Sequence, residues 1–183
     1  MFNLSTKEVV LSIENAPLVN LNGIIYQEYK SFFGKNILDE LANLDNLKFV
    51  KLEKQFDMPR QRVDYAEQLM KKLKIFFMQS IITNSLEKKF NTSLIFDSVD
   101  LWQDSAGYYL TPHTDDTRIK LALQIYLGDN NVGTSLYDHK ENIVKTFEFN
   151  FNWGYALLNN DVSMHGTASK VQETRNSIYV RYR

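Results

Sequence analysis

The chain has 183 residues, 44% of them hydrophobic, and a formal net charge of −1. That is enough for one domain with its own core, and it lacks the basic balance that nucleic-acid binding calls for. With no cysteine at all, disulfide scaffolds, thiolate zinc sites and thiol nucleophiles are excluded. The N-terminus shows no positive leader followed by an apolar run, and no stretch reaches the roughly 18 apolar residues of a membrane span. The expectation is a soluble, cytoplasmic protein without membrane contact.

In chain order, residues 1–92 read as a mixed supporting section. VVLSI and GIIY are predicted as short strands. KNILDELANL is predicted as a short amphipathic helix with Ile37, Leu38, Leu41 and Leu44 on one side, and LKFVKL as an alternating strand. One long helix is expected from about Tyr65 to Phe90. Its stripe of Leu69, Leu73, Phe76, Phe77, Ile81, Ile82 and Leu86 faces a sheet, and Lys88 and Lys89 complement the dipole of its last turn.

Residues 93–183 read as successive strands: SLIFDSVDLW, YYLTPHTD, IKLALQIYL, TSLYDH, KTFEFNF, YALLN and RNSIYVRYR. The turn sequences DSAG, GDNNVG, DHKEN, NFNWG and NNDVS separate them. Strands at this spacing predict an antiparallel sandwich or barrel. The fold class is therefore mostly β with some α, a jelly roll with N-terminal helices on one outer face, forming a single domain over 1–183.

Two of the three histidines stand in suggestive settings. In TPHTDD, His113 and Asp115 are two apart, so an extended backbone aims imidazole and carboxylate the same way. His165, in SMHG, is expected at a strand end with room beside it. Two histidines and one carboxylate on one face of an ion leave positions open, the donor set of mononuclear non-haem iron(II) sites; structural zinc prefers four closed ligands. Further on, Arg175, Ser177, Tyr179 and Arg181 share one strand parity while Ile178 and Val180 take the other. If the apolar pair faces the second layer, Arg175 points inward, and a buried guanidinium requires an anion.

The order H-T-D, GTSLYD, distal H-G and R-N-S resembles the 2-oxoglutarate- and iron(II)-dependent dioxygenases over roughly residues 98–183. The resemblance implies a double-stranded β-helix in which His113, Asp115 and His165 hold iron(II). It implies that Arg175, helped by Ser177, binds the distal carboxylate of 2-oxoglutarate, with O2 as second cosubstrate and ascorbate as a stimulant. Gln103, Tyr109, Gln124 and Tyr126 are further candidates for holding the cosubstrate. Lys120, on a strand where some relatives carry a carboxylate-binding lysine, is expected to be solvated since Arg175 is present. His139 is expected in a surface loop. Arg60 and Arg62 are the first candidates for substrate contacts.

The implied activity is hydroxylation of an unactivated C–H bond in a small polar metabolite or sugar, releasing succinate and CO2. The presence of Asp115 favours hydroxylation over halogenation, since halogenating relatives lack the carboxylate ligand. Two alternatives stand beside it: a hydroxylase of a protein side chain, prolyl-type, and a non-catalytic cupin-like jelly roll holding a metal or sugar. A metal-dependent isomerase or hydrolase on the same barrel would need metal but no oxygen. Substrate identity and oligomeric state are not legible.

Overall fold

A computed structural model describes residues 6–42, 44–51 and 59–183. The segment expected as a first strand is a helix, α1 (Lys7–Asn15), with Val9 and Ile13 buried. These two lie one helical turn apart, so packing of an i,i+4 pair overrides the β preference of a valine-rich run. Two strands follow, β1 (Leu18–Leu21) and β2 (Ile24–Tyr29). They are joined by Asn22-Gly23, both at positive φ, 52° and 92°, the backbone that a tight hairpin of this hand requires. Helix α2 (Lys35–Leu41) and strands β3 (Phe49–Lys51) and β4 (Arg60–Val63) complete the first section up to the helical pair.

The long helix expected over 65–90 is two helices, α3 (Gln68–Phe77) and α4 (Ser80–Phe90), with Gln79 extended between them at ψ 130°. The break shifts the phase of the apolar stripe by one residue. Phe77 is buried and the next turn buries Ile82, Leu86 and Phe90, while Ile81 is exposed. No glycine or proline marks the break.

The strands of the second section are β5 (Phe96–Asp104), β6 (Leu121–Tyr126), β7 (Thr134–Tyr137), β8 (Ile143–Thr146), β9 (Gly154–Leu158), β10 (His165–Thr167) and β11 (Arg175–Tyr182). An eight-stranded sheet runs β1-β2-β9-β6-β11-β5-β4-β3, and a three-stranded sheet runs β10-β7-β8. Every strand pairing among the described residues is antiparallel. YYLTPHTD, expected as a strand, makes only an isolated bridge between His113 and His165. The strand expected in KTFEFNF starts earlier, at Ile143, and ends at Thr146.

Two apolar clusters flank the large sheet. On its outer face, Leu101, Leu121, Leu123, Ile125, Ile178 and Val180 pack against Val9, Phe76, Phe77 and Leu86 of the helices. Between the sheets, Tyr26, Tyr126, Tyr155 and Leu157 meet Leu136, Phe147 and Phe149. β6 is buried along its whole length because helices cover one face and the small sheet the other. This layering fixes the parity of β11: Ile178 and Val180 go to the helices, and Arg175, Ser177 and Tyr179 turn to the inter-sheet side. Among the described residues no helix is long and apolar enough to cross a membrane.

Candidate metal centre and active-site cavity

His113 and His165 sit in one bridge. The His113 N–H donates to the His165 carbonyl at 3.0 Å and the His165 N–H to the His113 carbonyl at 2.8 Å. Their rings are 4.5 Å apart between centroids. The bridge requires close approach of two backbones, and Gly166 permits it. A Cβ there would lie 2.6 Å from the Leu110 carbonyl oxygen. The expected room beside His165 is thus absent; the glycine is needed because space is short.

Ligand atoms of His113, Asp115 and His165 all lie within 4.8 Å of one another. His113 Nδ1 is 2.9 Å from the Thr111 carbonyl, and His165 Nδ1 is 3.1 Å from the Ser163 carbonyl. A carbonyl oxygen only accepts, so each Nδ1 carries the proton and each Nε2 keeps its lone pair. His165 Nε2 is 3.9 Å from Asp115 Oδ1. Burial lowers the pKa of His165 against the opposing pull of Asp115, so the ring is held in the neutral form that coordination needs. The Tyr179 hydroxyl donates to Asp115 Oδ2 at 2.8 Å. Burial first, and then Asp115, raises the Tyr179 pKa well above the usual phenol value, which keeps the donor proton in place. These donors suit a divalent ion of iron(II) type, with three protein ligands and no thiolate.

The triad lines a cavity of about 220 Å³ together with Arg60, Trp102, Gln124, Thr134, Tyr155, Arg175 and Arg181. Arg175 is 4% exposed. Its Nε donates to Asp104 Oδ2 at 3.0 Å and its Nη1 to the Val132 carbonyl. Asp104 also receives Arg60, through Nε to Oδ1 at 2.5 Å and Nη2 to Oδ2 at 3.0 Å. Burial alone would pull the Arg60 pKa down, but Asp104 reverses this and raises it. Two guanidinium groups thus share one carboxylate, and one positive charge is left in the cavity wall. Gln124 donates to Ser177 Oγ at 3.0 Å and accepts from Thr134 Oγ1 at 3.0 Å and Tyr155 OH at 2.8 Å. Ser177 reaches the cavity only through Gln124, since it is not itself in the lining.

The other candidates lie elsewhere. Tyr126 is buried between the sheets, its hydroxyl accepting the Thr134 N–H at 3.0 Å. Gln103 is on the opposite parity of β5, beside Asn176 Oδ1 at 3.3 Å. Tyr109 is 36% exposed and outside the lining. Lys120 reaches the Ser93 carbonyl at 2.9 Å, and His139 is exposed after β7. Arg62 is outside the lining, against Tyr65 and Asp100. Sequence reasoning did not single out Asp104, Thr134, Tyr155 or Tyr179. Of these, Tyr179 shares the parity of Arg175 and was within reach of that signal.

Neither a protein-family model nor a curated protein matches the chain. Solved structures do. An oxidoreductase of the 2OG-Fe(II) oxygenase family from Burkholderia pseudomallei superposes with a TM-score of 0.66 at 12% identity, over 86% of this chain and 83% of that one. HygX from Streptomyces hygroscopicus, solved with nickel, 2-oxoglutarate and hygromycin B, gives 0.63 at 12% identity, over 86% and 82%. A prolyl-4-hydroxylase from Pseudomonas putida gives 0.61 at 12% identity, over 96% of each chain. The chain has the fold of these 2OG-Fe(II) oxygenases.

Proposed function

We propose that this chain is a 2-oxoglutarate- and iron(II)-dependent dioxygenase, built on a double-stranded β-helix, that hydroxylates an unactivated C–H bond of a small polar molecule. The observation that carries the reading is the convergence of His113, Asp115 and His165 within 4.8 Å in the same cavity as the buried Arg175. His113 and His165 offer Nε2 lone pairs, and Asp115, held by Tyr179, offers a carboxylate oxygen. Three protein ligands leave room on the ion for cosubstrate and oxygen. Arg175 and Arg60 together present one uncompensated positive charge to the distal carboxylate of 2-oxoglutarate. Thr134 and Gln124, locked with Tyr155, line the floor where the chain of that diacid would lie. Iron(II) with bound 2-oxoglutarate supplies oxidation of the C–H bond by O2, with release of succinate and CO2.

The likeness to the Pseudomonas putida prolyl-4-hydroxylase over 96% of both chains supports a second reading, in which the hydroxylated group is a protein side chain. A binding-only jelly roll needs neither the buried arginine nor an open coordination face. Release of succinate from 2-oxoglutarate in the presence of iron(II), ascorbate and O2 tests the reading. Metal dependence without oxygen dependence would point instead to an isomerase or hydrolase.

A further inference from the structure

Asp100 and Asp104 lie four residues apart on β5, on the same face, and both are almost fully buried. Each stands between arginines from the two flanking strands. Asp104 takes Arg60 from β4 and Arg175 from β11. Asp100 takes Arg62 from β4, at 3.6 Å, and Arg181 from β11, at 3.1 Å. The inner module holds the arginine assigned above to the distal carboxylate of 2-oxoglutarate. The outer module has the same composition and no assignment, and its Arg181 lines the cavity beside the triad.

We propose that the substrate carries an anionic group, a carboxylate or a phosphate, received by Arg181 at the mouth of the cavity with Arg62 behind it. The proposal rests on the dioxygenase reading and narrows its substrate class.

Charge supports it first. Four guanidinium groups face two carboxylates, which leaves two positive charges. A divalent ion held by Asp115 adds one more, and the dianion of 2-oxoglutarate removes two. Among the described residues one positive charge then remains with the Arg62–Asp100–Arg181 group, of which Arg181 lines the cavity, and an anionic group would neutralise it. Hydrogen bonding supports it independently. Arg181 donates Nε to Ser98 Oγ at 2.8 Å and Nη2 to Asp100 Oδ2 at 3.1 Å. Its Nη1 makes no hydrogen bond among the described residues, and its side chain is 35% exposed. Asp100, by contrast, is 1% exposed, and both of its oxygens already have partners. Oδ1 accepts the Tyr65 hydroxyl and faces Arg62, and Oδ2 accepts Arg181. Among the described residues the mouth therefore offers a cationic donor and no carboxylate without a partner, which selects against a cationic substrate. Distance fits as well. The Arg181 guanidinium lies 6.0 Å from the centre of the Tyr179 ring, and the Tyr179 hydroxyl touches Asp115. One tyrosine side chain separates the anion site from the metal face.

Binding measured by calorimetry, with nickel(II) in place of iron(II) and 2-oxoglutarate saturating, tests the proposal without turnover. The probes are two matched pairs: phenylacetate with phenylacetamide, and phenyl phosphate with phenol. At least one anion is expected to bind tenfold or more tighter than its neutral partner, and the pair that shows the preference identifies the acid. Arg181→Gln should erase that preference, while the affinity for 2-oxoglutarate shifts less than twofold. Arg181→Lys, which keeps the charge, should retain most of the preference and guards against a folding artefact in the first variant. Equal binding within both pairs, no binding of either anion, or an unchanged preference in Arg181→Gln would overturn the proposal. If 2-oxoglutarate fails to bind the nickel(II) protein at all, the failure belongs to the dioxygenase reading instead.

Discussion

His113 and His165 exchange both of their backbone hydrogen bonds, at 3.0 and 2.8 Å, so two metal-ligand candidates 52 positions apart in the chain are fixed by main chain before any ion arrives. The bridge depends on Gly166, whose absent side chain leaves room for the Leu110–Pro112 backbone. Gly166→Ala places a carbon 2.6 Å from the Leu110 oxygen, and backbone cannot yield as a side-chain tip can. The variant should lose about 1–3 kcal/mol of stability and bind a divalent ion at least tenfold more weakly. Urea unfolding and a competitive chelator titration read the two effects.

Tyr179 donates a hydrogen bond to Asp115 and to no other candidate ligand among the described residues. Removing its hydroxyl leaves the donor set intact but loosens the carboxylate. Tyr179→Phe is expected to keep its melting temperature within a few degrees while losing about 10–100-fold in metal affinity, the usual scale for an outer partner of a metal ligand. Unchanged affinity would show that Tyr179 does not orient Asp115.

The Arg60–Asp104–Arg175 group makes opposite demands on its members. Asp104→Ala leaves the buried Arg175 and the largely covered Arg60 without their shared carboxylate and should destabilise the fold by about 3–5 kcal/mol. Arg175→Ala leaves Asp104 still paired with Arg60, so it should fold and chiefly raise the Michaelis constant for 2-oxoglutarate. Denaturant midpoints for the first and steady-state kinetics for the second separate the two roles.

At high pH the tyrosines set the trend. Burial is the largest cause that pushes Tyr65 and Tyr108 up to about 12, against an unfolded value near 10. Between those values the unfolded chain has released protons that the folded chain still holds, so stability falls as pH rises through that window. Urea midpoints measured from pH of about 9 upward should decline, and Tyr108→Phe should make the decline shallower.

Much of the candidate site was legible because its signals are local. The alternation of Arg175, Ser177 and Tyr179 against Ile178 and Val180 needs only strand periodicity; His113 and Asp115 come together by their closeness in the chain, although their segment makes an isolated bridge and not the expected strand. What could not be read depends on register. Asp104 meets Arg175 across 71 positions because β11 pairs with β5 at that point, and the chain alone does not state that pairing. Gln103 is a cosubstrate candidate from the sequence, and its register opposite Asn176 puts it on the parity that faces away from the cavity. The helices erred for a different reason: Val9 and Ile13 satisfy both a strand run and a helical turn. The break at Gln79 carries no breaker residue and follows from packing of Phe77 and Ile82 on the sheet.

Anaerobic titration with iron(II) and 2-oxoglutarate, comparing the wild-type chain with His113→Ala, tests the central claim most directly. The expected result is one iron(II) per wild-type chain, 2-oxoglutarate bound only when the metal is present, and both lost in the variant. Iron(II) binding that survives His113→Ala, or 2-oxoglutarate binding that is indifferent to the metal, would contradict it.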